Sequence, residues 1–161
     1  MERGKTMEQE TWEQISDRLA RELEEFGPEN LETYFREHRE DLITEPRPFA
    51  AYIRRKLREK GLLQQNVFLA ADLSESYGYK LISEEKRTRR RDTVLRLCLG
   101  ARLSPEELWE ALTLYGMAPL HARFPRDAAL LTAVRSGMYD LQDVNEFLVG
   151  LGLTPLEEVY K

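Results

Sequence analysis

The sequence predicts an all-α protein, and three observations carry that expectation. Apolar residues recur at spacings of three and four along most of the chain. No stretch alternates at period two long enough to make a strand. Capping residues, prolines and glycines fall where helices should begin and end. The 161 residues suffice for one domain with a helical arm, and 42% hydrophobic with 33% charged residues fits a helical protein with a densely charged surface.

Trp12, Ile15, Leu19, Leu23 and Phe26 form the apolar stripe of a first helix that should stop near Gly27-Pro28. This stripe serves either as core or as a dimer seam. Leu31, Tyr34, Phe35 and Leu42 share a face of a second, short helix. Pro46 and Pro48 then mark a joint, because proline disfavours helical geometry in the residue before it. Residues 1–47 therefore read as an acidic N-terminal helical arm.

Phe49, Ile53 and Leu57 line one side of the next helix, Arg54, Arg55, Arg58 and Lys60 the other, and Gly61 ends it. A helix over about Gln64 to Ala71 offers Val67, Ala70 and Ala71 to a core. After the corner Asp72-Leu73-Ser74, Ser74 caps a helix through Tyr77, Leu81 and Ile82. A charged stretch from Glu84 to Arg91 leads into a helix with Val94, Leu95, Leu97, Cys98 and Ala101 inward. Ser104-Pro105-Glu106-Glu107 opens the fifth helix of the block with a cap, a proline at its first position and acids in its first turn. Two more helices, about Arg126 to Arg135 and Asp140 to Leu151, complete residues 116–161 as a C-terminal extension on the 48–115 block.

Charge is partitioned along the chain: net −7 over residues 1–47, +7 over 48–102 and −5 over 103–161. A basic block flanked by acidic ones suits phosphate neutralisation, the main sequence-independent source of DNA affinity. The alternative is that the arginines pair with acidic helices of the same molecule or of a dimer partner.

The runs Ile53 to Val67 (IRRKLREKGLLQQNV), Asp72 to Tyr77 (DLSESY) and Leu103 to Leu108 (LSPEEL) resemble the Xre and lambda-repressor family of helix-turn-helix regulators, over about 65 residues. The resemblance implies a five-helix lambda-repressor-like core and a sequence-specific transcriptional regulator of double-stranded DNA. It places Gln64, Glu75, Ser76, Tyr79 and Lys80 at base edges, and Gln65, Lys86, Arg87, Arg89, Arg90 and Arg91 on phosphates. A homodimer reading two half-sites is expected. Three positions depart from the family pattern. Asp72 stands where the corner usually has glycine. Gly78 replaces a buried aliphatic residue and should leave a gap, and Glu84 and Glu85 should bring two anions to the DNA-facing end of the helix. The alternative function is a protein-interaction module that keeps this scaffold and holds a protein partner on its acidic surfaces.

Other functions find less support. Cys98 is the only cysteine, so an internal disulfide is impossible, and with only His38 and His121 neither a metal nor a cofactor is expected. Cys98 reads as a small buried residue, the two histidines as surface or loop residues without a local carboxylate partner, and Asp127 as a first-turn acid. With no phosphate cradle, zinc-peptidase pair or nucleophile elbow, no enzyme is expected. The chain lacks a membrane-spanning run and an apolar leader, so a cytoplasmic location is the expectation.

Overall fold

The structure, a computed structural model, describes residues 9–159. The described residues are all-helical, with helices α1 (Trp12–Leu23), α2 (Leu31–Glu37), α3 (Pro48–Lys60), α4 (Gln64–Ala70), α5 (Glu75–Ile82), α6 (Arg91–Gly100), α7 (Pro105–Tyr115), α8 (Pro125–Arg135) and α9 (Leu141–Gly150). The chain divides into two compact units, Met1–Thr44 and Glu45–Lys161. The second unit takes in both the 48–115 block and the 116–161 extension.

In the first unit, Thr11 and Gln14 close a reciprocal capping box at the start of α1. The helix ends at Leu23, leaving Phe26 in the turn beyond it, and no residue of α1 is fully buried. Helix α2 ends at Glu37, earlier than the apolar spacing suggests, and Leu42 lies in a turn whose amide donates to the His38 carbonyl. His38 is not the surface residue expected. Its side chain is 13% exposed, its Nε2 lies 3.0 Å from Glu22, and its ring packs on Tyr34. The partner sits sixteen residues back on another helix, beyond what local spacing reveals.

The second unit contains the core. Helix α4 packs on α6 and α5, α3 on α7 and α5, and α8 on α9. Phe49, Ile53, Phe68, Leu97, Leu112 and Leu148 are among its fully buried side chains. Local chemistry accounts for most helix ends. Ser74 accepts from the Tyr77 amide, and Ser104 and Glu107 form a second capping box. Gly61 and Gly116 close α3 and α7 in the left-handed conformation. Helix α4 is turned relative to expectation: Ala70 is exposed and Phe68 is buried beside Val67 and Ala71. After α9, residues 153–159 form neither helix nor turn.

Candidate functional site

The corner between α4 and α5 is built by backbone geometry. Asp72 adopts φ +53, as a residue replacing glycine there must, and the Leu73 amide donates to the Phe68 carbonyl. The position at Gly78 is not empty. It is buried, and a Cβ placed on it would come within 2.5 Å of the Phe68 ring, so α4 supplies the bulk that α5 lacks. The two helices cross closely because one partner of the contact is large and the other has no side chain.

Against this brace, α5 turns Gly78, Leu81 and Ile82 inward. Glu75, Ser76 and Tyr79 are exposed and Lys80 is half-buried, all four on one side of the helix. The Tyr79 ring meets Phe68 edge-on at 4.9 Å, which steadies it while leaving 41% of the residue exposed. At the start of α4, Gln64 is half-buried and Gln65 exposed.

The stretch after α5 is committed elsewhere to a degree that spacing does not reveal. Glu84 takes φ +57, a left-handed helix end, and its side chain is buried. One carboxylate oxygen accepts from the Ala50 amide at 3.0 Å, satisfying the first turn of α3, which has no side-chain cap of its own; the other pairs with Arg87. Glu84 is thus an internal pin and not an anion on the outer surface. Glu85 is exposed.

Arg87 also donates to the Tyr115 carbonyl and lies over the Tyr115 ring, 4.2 Å from its centre, while the Tyr115 hydroxyl accepts from the Thr88 amide at 2.7 Å. Arg91 grips Asp127 with both terminal nitrogens at 2.9 Å, and donates as well to the carbonyls of Ala118 and Pro119. Arg90 reaches Glu157 at 3.6 Å, with both side chains more than half exposed. Lys86 and Arg89 are exposed, and neither side chain has an ion-pair partner among the described residues. On α3, Lys56 and Lys60 pair with Glu107 at 3.3 and 2.8 Å, whereas Arg54 and Arg58 are exposed.

The arginine run therefore divides into two classes. Arg87 and Arg91 hold α7 and the α7–α8 connection in place, while Lys86 and Arg89 face solvent. The distant groups that tie down Arg87 and Arg91, the Tyr115 carbonyl and Asp127, stand 28 and 36 residues along the chain, so local spacing does not separate the classes. Asp127 does occupy the first turn of α8 and is buried. Cys98 is buried, and burial pushes its thiol up to about 12, far from a reactive thiolate. Sequence reading passed over Asp92, Arg96, Arg126 and Asn145, which together bind the backbone of the C-terminal segment.

Among the described residues no helix is long and apolar enough to cross a membrane. Compared with protein-family models, curated proteins and solved structures, the chain matches none.

Proposed function

We propose that the second unit is a helix-turn-helix module that binds double-stranded DNA as a transcriptional regulator. The single observation that carries the proposal is the exposure of Glu75, Ser76 and Tyr79 on one side of a helix whose other side is locked against α4. The resemblance to the Xre and lambda-repressor family supports the same reading, as does the order of helix, tight corner and helix. In this reading Ser76, Tyr79, Lys80 and Gln64 read base edges, with Glu75 as an acceptor, and Gln65, Lys86 and Arg89 follow phosphates. Arg87 and Arg91 contribute by shaping the loop, and Arg90, exposed beside Glu157, joins the phosphate contacts. Dimerisation would let two such helices read two half-sites.

The test is binding to duplex DNA across a salt series, comparing the parent chain with the Lys86→Ala, Arg89→Ala double variant. Both side chains are exposed, so their loss leaves the fold intact. Two fewer phosphate contacts should lower affinity and make the log–log salt slope shallower by about 2. Absence of binding to any duplex at low salt, the promoter of its own gene included, would sink the proposal.

A second reading, a protein-interaction module on the same scaffold, is favoured by one observation. Leu63 and Leu69 of the α4 region are 66% and 79% exposed. Exchanging both leucines for serine discriminates: DNA affinity would persist if α5 reads DNA, and partner binding would be lost if α4 is the contact.

A further inference from the structure

Residues 154–157 are held by their backbone. Arg126 donates to the carbonyls of Thr154 and Pro155, both at 2.9 Å, and Arg96 to those of Leu156 and Glu157 at 3.1 and 2.7 Å. The Leu156 amide donates to Asn145 at 2.8 Å and the Glu157 amide to Asp92 at 2.9 Å. All six bonds go to main-chain groups, and they come from α6, α8 and α9. The side chains that hold it are themselves fixed, since Arg126 and Asp92 form a two-point pair at 2.8 Å and Arg96 is 2% exposed.

Of the four residues only Leu156 is buried, at 2% exposure, while Thr154, Pro155 and Glu157 are exposed. The segment lies along the surface with Leu156 inserted into the core cluster, while Leu153 and Val159 on either side of it pack against that cluster half-buried. Helix α9 ends on its own terms just before it. The Gly152 and Leu153 amides donate to the Val149 and Leu148 carbonyls and Gly152 takes φ +75, a glycine-closed helix end that is complete without the segment.

Gripping a segment by its main-chain groups, with one socket for a side chain, is one way in which proteins bind peptides. We propose that Asp92, Arg96, Arg126 and Asn145 form a peptide-binding groove that accepts a non-helical segment of a protein partner by its main-chain groups, and that this chain's own residues 154–157 occupy it as an intramolecular competitor. The bonds define the ligand. Its anchor position takes leucine. The anchor and the residue after it must carry amide hydrogens, which excludes proline at both, whereas proline fits before the anchor because no donor is needed there. Arg90, beside Glu157, adds a preference for an acidic residue after the anchor. The inference is independent of DNA binding.

A tethered competitor acts at an effective concentration near millimolar, so the parent chain should bind a free peptide weakly. The experiment uses the full chain carrying Leu156→Asp, which expels its own segment by putting a charge in the socket, and a fluorescent peptide with the sequence of residues 152–159. The Leu156→Asp chain should bind this peptide at least about tenfold more tightly than the parent. Adding Asn145→Ala, or methylating the peptide's leucine amide, should reverse that gain. Equal binding by both chains, or no binding by a Leu156→Asp chain whose circular dichroism matches the parent's, would overturn the proposal.

If Leu156→Asp prevents folding, amide exchange in the parent chain decides. Exchange of Leu156 and Glu157 faster than the interior of α6 shows a releasable segment, and exchange only with global unfolding makes it a fixed part of the core and overturns the proposal.

Discussion

Phe68 and Gly78 form one contact across the α4–α5 corner: the ring, with no exposed surface, covers a glycine that has no room for a methyl group. The close approach fixes how α5 is presented, so the pair lies beneath the proposed DNA-reading surface without belonging to it.

Gly78→Ala should therefore destabilise the protein. Alanine is about 1 kcal/mol better than glycine in a helix interior, but overpacking a filled core costs about 1–3 kcal/mol, and a Cβ only 2.5 Å from two ring carbons puts the cost at the upper end. A lower urea midpoint is expected. Replacing Phe68 with leucine in the same chain should recover part of the loss, so that the double variant is more stable than the two single effects sum to. A Gly78→Ala chain as stable as the parent would contradict the contact.

Neighbouring arginines should respond in opposite ways. Arg91→Ala leaves the buried Asp127 carboxylate without its two-point partner and frees two carbonyls, a loss of about 2–3 kcal/mol with a fall in melting temperature of roughly 5–10 °C. Arg89→Ala, at an exposed side chain, should change stability by no more than about 0.5 kcal/mol. Thermal melts of the two variants check the division. Similar melting temperatures would refute it.

Acid should weaken the fold through Glu107. Burial pushes its carboxyl up, but the Lys60 ammonium, the Ser104 amide and Lys56 outweigh burial and bring it from 4.5 to about 2. A carboxyl lowered in the folded state contributes fully above its unfolded value, and that contribution fades as pH falls from about 4.5 towards 2. Asp92 acts in the same direction: burial opposes its ionisation, while Arg126 and the Glu157 amide more than compensate. Urea midpoints at pH 6, 4 and 3 should fall more steeply for the parent than for Glu107→Gln, which should begin less stable at pH 6. Parallel curves would show that Glu107 is not linked to folding.

Much of the secondary structure is legible in the sequence because its signals are local. Ser74, Ser104-Pro105 and Gly61 act within a turn of the residues they cap, and apolar spacing of three and four finds each helix to within a few residues. The resemblance set Asp72 where the corner usually has glycine, and its φ of +53 is a conformation that aspartate can take. Apolar spacing misread α4, choosing Ala70 in place of Phe68, because in a helix of seven residues the apolar side depends on what lies opposite, and here that is Gly78.

The candidate site was legible only in part, and the reason is distance along the chain. Composition and spacing determined that the protein is all-α, that its cations concentrate between α3 and α6, and that α5 follows a tight corner. Tertiary structure decided which cations are tied into the fold, since Arg87 and Arg91 look no different from Lys86 and Arg89 until Tyr115 and Asp127 arrive beside them. It also turned Glu84 inward to cap α3, and laid residues 154–157 across three helices. Charge and periodicity belong to single residues and their near neighbours, whereas a salt bridge or a gripped backbone exists only when folding brings remote groups within about 3 Å.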